Sequence, residues 1–206
     1  MSPAAPSNQK ARTILQAARK VFLEHGFSAA TTDMIQQQAG VSKSTVYAHY
    51  PTKEKLFIAV VEAECESFLS GMQRIEFQPN GVEALLHQLA NTYLDIVLSP
   101  VALAQYRVLV GEAPKFPELA HRFYQAGPRA MIRQATELLS RAAEAGELDF
   151  GGLSAETAAT AFANLVRSEL QQHYLLHPEA RPSRAQIEQW AETCVFIFLR
   201  AFAAKR

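Results

Sequence analysis

The stretch Thr31–Lys55 reads TTDMIQQQAGVSKSTVYAHYPTKEK. Thr31 and Thr32 are good helix N-cap residues, and Asp33 follows where a negative charge suits the start of the helix dipole. Met34, Ile35 and Ala39 form an apolar face, and Gln36, Gln37 and Gln38 a wet one. Gly40 stops this first helix, because glycine accepts the left-handed conformation of a C-terminal cap. Val41 is the apolar plug of a tight turn. Ser42 is a fresh N-cap, and a second short helix runs from Lys43 to Tyr50. Pro51 ends it, since the residue before a proline is pushed out of the helical region. The pattern is a helix-turn-helix.

The second helix has little to give a core beyond Val46 and part of Tyr47 or Tyr50. Its other side chains are Lys, Ser, Thr and His, short donors and acceptors plus one cation. Such groups reach phosphate oxygens and base edges. Lys53 and Lys55, just past Pro51, add candidate phosphate contacts. The alternative is an ordinary helical hairpin with a solvated polar face.

Around this stretch almost everything reads as helix, and the fold class is all-α with about nine helices. One runs from Asn8 or Gln9 to His25, with Ile14, Leu15, Ala18, Val21 and Phe22 at helical spacing and Gly26 after it. A long helix follows from about Lys53 to Ile75. Others span about 82–98 and 101–112. Pro117 opens a run toward Ala145 with a kink or break expected at Gly127-Pro128. Two final helices cover about 154–176 and 183–204. We expect residues 1–55 to be a DNA-binding domain, with residues 1–8 a flexible tail. Residues 56–206 are then a larger, second helical domain.

The formal net charge of zero conceals an asymmetry. Residues 1–60 carry seven Lys/Arg against three acids, a net +4, and the remainder carries −4. The basic excess thus sits where phosphate is expected, and counterion release favours binding there. No run approaches the ~20 apolar residues of a membrane helix, and the polar N-terminus has no secretory h-region. A cytoplasmic protein without membrane partners is expected. Cys65 and Cys194 fit no metal spacing and read as buried thiols, with a redox switch as the alternative. There is no phosphate loop or nucleophile elbow, and His173 and His177, four apart, read as a solvated helix end rather than a metal pair. No enzyme activity, cofactor or metal is expected.

The terminal helix carries Ile187, Trp190, Val195, Phe196, Phe198, Leu199 and Phe202, more apolar surface than one buried stripe needs. The helix before it holds a run of small residues that lets another helix approach closely. Ala158, Ala161, Trp190, Phe196, Phe198, Leu199 and Phe202 are therefore candidates for a two-fold helical interface. The alternative is a wholly internal core helix.

The segment from about Ile14 to Phe57 resembles the DNA-binding domain of the TetR family of bacterial transcriptional regulators. Ala17, Phe22, Gly26, Phe27, Thr32, Ile35 and Ala39-Gly40-Val41-Ser42 carry the resemblance, with Lys43, Thr45, Tyr47, Tyr50, Lys53, Glu54, Leu56 and Phe57 after them. Ser44 stands where the family often has glycine, and the aromatic run near the helix end is interrupted by Ala48 and His49. By position, the resemblance implies that Thr32 holds a phosphate at a helix start. Ser42, Lys43 and Ser44 enter the major groove, and Thr45 and His49 touch phosphate or base. Tyr47 and Tyr50 brace the DNA backbone, and Lys53 clamps a phosphate.

Residues 108–128, VLVGEAPKFPELAHRFYQAGP, resemble the ligand domain of the AefR-like subgroup of that family. The resemblance implies a homodimer on a palindromic double-stranded operator, and a pocket for a small effector among the middle helices. Candidate lining residues are Phe68, Met72, Leu89, Tyr93, Tyr106, Phe123, Met131, Phe162 and Leu165, each of which also reads as plain core. Arg107 and Arg167, set in apolar helical runs, are candidates to hold an anionic head group, or else to form surface ion pairs. The expected function is a repressor released from its operator by an apolar ligand. The alternative is a DNA-binding regulator under protein or redox control.

Overall fold

The structure is a computed structural model and describes residues 6–204. The tail expected over residues 1–8 lies outside the described residues as far as residue 5. The described chain is all helical apart from turns and one isolated antiparallel bridge between Leu148 and Ala203. Its ten helices are α1 (Pro6–Ala29), α2 (Thr32–Ala39), α3 (Lys43–His49), α4 (Lys53–Met72), α5 (Val82–Val97), α6 (Pro100–Glu112), α7 (Pro117–Ala126), α8 (Pro128–Glu144), α9 (Ala155–Leu176) and α10 (Arg184–Phe202). The expected run from Pro117 divides into α7 and α8 at Gly127, with Pro128 at the first turn of α8.

Side-chain caps set several of these boundaries. The hydroxyls of Thr31, Ser42, Ser154 and Ser183 accept from the amides of Met34, Thr45, Thr157 and Gln186 at the starts of α2, α3, α9 and α10. Each satisfies one of the donors a helix start leaves open. At Ser183 the Gln186 side chain returns the bond, completing a capping box. Gly40 closes α2 in the left-handed region at φ 64°. In α1 the regular helix breaks at Gly26, φ 75° and ψ 171°.

The chain packs as two compact units. One holds the residues up to Glu66 together with Ala104–Ala126; the other holds Ser67–Leu103 and Gly127 onward. Residues 104–126 thus pack with the N-terminal helices, and a single cut after residue 55 does not describe the packing.

Phe27 explains why. It is fully buried, and its ring lies 5.9 Å from Phe22, 5.0 Å from Phe57 and 4.6 Å from Phe116, centroid to centroid. The last two contacts are edge-on, the geometry aromatic quadrupoles favour. Ile14, Ala18, Ile35, Val46, Leu56 and Leu119 complete this core.

The second unit is built on α5, α8, α9 and α10. Phe162 and Phe198 meet edge-on at 4.9 Å in its core, and the Trp190 indole N–H donates to the Val166 carbonyl at 2.7 Å, tying α10 to α9. Glu147 accepts from the amides of Asn80 and Val82 at 2.6 and 2.9 Å, so a distant carboxylate caps α5, whose own Gly81 supplies no side chain.

Candidate nucleic-acid interface and ligand cavity

Helix α3 buries one residue, Val46, and presents the rest. Ser42, Lys43, Ser44 and Tyr47 are exposed; Thr32, Thr45, His49 and Tyr50 are partly covered. The Ser42 hydroxyl is a local hub. It accepts the Thr45 amide at 3.2 Å and pairs with the hydroxyls of Ser44 at 2.9 Å and Thr45 at 2.8 Å. The Tyr47 hydroxyl donates to Thr32 Oγ1 at 3.4 Å, joining α3 to the first turn of α2. Lys43 pairs with Asp33 at 2.9 Å, and that hydrogen bond and charge raise its pKa. Burial raises the Tyr50 pKa, and the residue lines a groove of about 340 Å³ with Leu15, Val60 and Ala63.

Lys53, expected at a phosphate, turns inward instead. Its ammonium donates to the carbonyls of Phe27 at 2.8 Å, Ala30 at 2.9 Å and, more weakly, Ser28 at 3.4 Å. It also stands 4.5 Å from the centre of the Phe27 ring, a favourable place for a cation. The reason is the break at Gly26, which leaves carbonyls beyond the regular helix in need of donors. The amide side of the same turn is held by Glu112 of α6. Its carboxylate accepts from the Ser28 amide at 2.8 Å and the Ser28 hydroxyl at 2.6 Å. Burial pushes the Glu112 carboxyl up, but the two Ser28 bonds and the charges of Lys115 and Lys53 outweigh it and hold the carboxyl below its ordinary range. The sequence carried no sign of this contact, because its partners are 84 positions apart.

The residues expected to line a pocket divide between the units. Met72, Leu89, Tyr93, Met131 and Phe162, joined by Ala135 and Ala163, surround one cavity in the second unit. It encloses about 20 Å³, room for about one water molecule. Phe68 and Leu165 belong to that unit but do not line the cavity. Arg167 donates to the Asn164 side chain at 3.2 Å on α9. Tyr106, Arg107 and Phe123 lie in the first unit, where the rings of Tyr106 and Phe123 meet at 6.2 Å. Phe116 joins the aromatic core there, so this stretch serves the N-terminal helices rather than the cavity.

Among the expected interface residues, Ala158 and Phe198 are buried within their own unit, and Trp190, Leu199 and Phe202 are half-buried against the same core. Ala161 is exposed, and Phe196 is 64% exposed. Ile197, at 45%, joins them. Its place beside Phe196, on the far side of the helix from Val195 and Phe198, is legible once the inward pair is known. On α9, Thr157, Ala161, Asn164 and Ser168 form a continuous exposed row of small side chains.

Burial pushes the Cys65 thiol up to about 12, with the charges of Glu64 and Glu62 adding to it, and burial pushes the Cys194 thiol up to about 11. Both stay protonated at neutral pH, which removes the thiolate that oxidants attack. His173 and His177 stack at 4.4 Å, and His177 Nδ1 engages the His173 carbonyl at the end of α9.

Residues 14–60 match the family described as bacterial regulatory proteins, tetR family, and residues 84–204 match the AefR-like transcriptional repressor C-terminal domain. The chain is 35% identical over 69 residues to the transcriptional activator FasR of Mycolicibacterium smegmatis, a match covering 34% of this chain and 32% of FasR. It is 28% identical over 165 residues to the regulator SrpR of Pseudomonas putida, covering 79% of this chain and 74% of SrpR. The solved structure of the flavonoid-responsive regulator FrrA superimposes with a TM-score of 0.83 at 35% identity, over 97% of this chain and all of FrrA.

Proposed function

Because this chain belongs to the TetR family of DNA-binding transcriptional regulators, we propose that it is a homodimeric repressor that a small apolar ligand releases from a palindromic operator. The observation that carries the reading is the capped, polar, exposed surface of α3, braced on α2 through Tyr47 and Thr32. Ser42, Lys43, Ser44 and Thr45 enter the major groove, and Tyr47, His49, Tyr50 and the α2 start approach the flanking backbone. Residues 1–55 supply these contacts, and the protein works in the cytoplasm with its DNA.

Dimerisation uses α9 and α10. The small row Thr157, Ala161, Asn164 and Ser168 lets a helix approach closely, and Phe196 and Ile197 provide the apolar anchors. Ala158 and Phe198 support that face from beneath. A two-fold dimer places two readers on one face of the duplex, with half-sites spaced by about one helical turn (~34 Å) or a multiple of it.

The ligand enters the cavity between Met72, Leu89, Tyr93, Met131 and Phe162. Two thioethers, two aromatic rings and no charge suit a neutral, flat, apolar molecule. A flat aromatic compound, such as the flavonoids to which FrrA is described as responsive, is one candidate class. At about 20 Å³ the cavity must open before such a molecule fits, because drug-sized ligands occupy roughly 300 Å³ or more. Opening shifts α4 and changes the distance between the two readers, a population shift between two dimer geometries. The small cavity equally favours a second reading, a DNA-binding regulator that answers to a protein partner rather than to a small molecule. Redox control is disfavoured by the protonated thiols.

Footprinting on the region upstream of the protein's own gene, with and without a panel of phenolic and other apolar compounds, tests the proposal. Protection of a palindrome relieved by one compound class supports it. Protection that no compound relieves favours the second reading. Sedimentation of Phe196→Glu should show a monomer; a dimer would overturn the assigned interface.

A further inference from the structure

The turn 26–30 is held from both sides by opposite charges. Gly26, at φ 75°, breaks the α1 ladder. Beyond it, the Ser28 amide and hydroxyl are both spent on the Glu112 carboxylate, at 2.8 and 2.6 Å. The carbonyls of Phe27, Ser28 and Ala30 are spent on the Lys53 ammonium. The backbone bond that leaves α1, Ala30 N–H to the Gly26 carbonyl, is long at 3.3 Å. The next residue, Thr31, caps α2, and Thr32 accepts from Tyr47 of α3. Wherever this turn sits, the start of α2 and the roll of α3 follow.

We propose that Glu112 and Lys53 are positioning residues for DNA binding, clamping the 26–30 turn from its amide and carbonyl sides, and that Lys53 supports affinity through this turn rather than through a phosphate. The proposal rests on reading α2 and α3 as the DNA reader. Two signs separate it from plain electrostatics. A carboxylate near a polyanion normally weakens binding, so deleting Glu112 should tighten it; under the clamp, deletion weakens it. A lysine on a phosphate contributes about 0.9 to the slope of log affinity against log salt concentration; a lysine spent on carbonyls contributes nothing to that slope.

The test uses the full chain and a duplex selected from a random library by the wild-type protein, titrated by fluorescence anisotropy at several potassium chloride concentrations. Thermal melting checks that each variant is folded at the assay temperature. Glu112→Ala should lose about tenfold in affinity, the scale of charge-assisted hydrogen bonds, with the salt slope of wild type. Glu112→Gln, which keeps an acceptor but not two, should fall between. Lys53→Met should lose a similar factor with the slope unchanged, and the double variant should lose less than the product of the two, since both act on one turn. Wild-type or tighter binding by Glu112→Ala overturns the clamp, as does a slope reduced by about 0.9 in Lys53→Met. If Lys53→Met melts below the assay temperature, the sign of the Glu112 effect decides. Tyr47→Ala is the separate control: wild-type affinity there overturns the reader assignment itself, whatever Glu112 does.

Discussion

Replacing Ser42 asks whether α3 reads DNA as a preorganised helix or as a set of independent side chains. The helix has seven residues, far below the ~12–15 at which an isolated helix becomes even marginally stable in water. Its first turn depends on the Ser42 hydroxyl, which takes the Thr45 amide at 3.2 Å and orders the hydroxyls of Ser44 and Thr45. Removing such a cap costs about 1 kcal/mol. The side chain is exposed, so water meets the freed groups and no burial penalty is added. If DNA binds only the ordered helix, that cost passes into the binding constant as roughly a fivefold loss. Ser42→Ala should show this loss by anisotropy titration, together with faster amide exchange at Thr45 and Val46. Ser42→Asn should restore both, because asparagine caps as well as serine. Ser42→Asp should restore the exchange protection but not the affinity, since its charge faces phosphate. Wild-type affinity and exchange in Ser42→Ala would refute the argument. An asparagine variant as weak as the alanine one would show that the hydroxyl acts on DNA directly.

Asp33→Asn frees Lys43 from its 2.9 Å partner; affinity should rise about two- to threefold, the scale of an exposed pair, with a steeper salt dependence, and an unaltered titration would remove Lys43 from the interface. Ala163→Leu fills the cavity beside Phe162 and Met131; operator binding should stay while release by ligand is lost, and normal release would place the ligand elsewhere. The Glu112 carboxyl titrates below its ordinary 4.5, so what it adds to stability is complete above that pH and is lost as pH falls through the lowered value. The difference in melting temperature between wild type and Glu112→Ala should therefore be constant near neutrality and shrink in acid, and a difference that grows on acidification contradicts the assignment.

The parts of the fold that were legible in the sequence are those whose causes are local. A serine three residues before the amide it caps, a glycine where the backbone turns left-handed and an apolar residue every third or fourth position are all short-range facts. They placed α2, α3, α9 and α10 within a residue or two. The boundary between α7 and α8 was visible as Gly127-Pro128 for the same reason. Periodicity also marked Tyr106 and Phe123 as inward-facing, and they are partly buried. It could not say into which unit, because that depends on Phe27 receiving Phe116 from 89 residues further along.

Lys53 shows the limit most sharply. Its type and position, a cation just after a polar helix, point to phosphate. Its destination is set by three carbonyls that lie 23 to 26 positions earlier in the chain and are exposed by the break at Gly26. Residue type determines which partners an ammonium accepts, and only the tertiary structure determines which of them it reaches first. The same reasoning applies to Glu112, which nothing local distinguishes from the other surface acids. A carboxylate 84 positions from its partner is invisible to any reading by spacing, yet it satisfies two donors in the turn that leads into α2 and α3. The basic excess of residues 1–60 therefore overstates the charge free to meet phosphate, since Lys53 is engaged with backbone carbonyls. If α2 and α3 read DNA as proposed, the salt slope should be shallower by about one lysine than the count of basic residues in 1–60 implies.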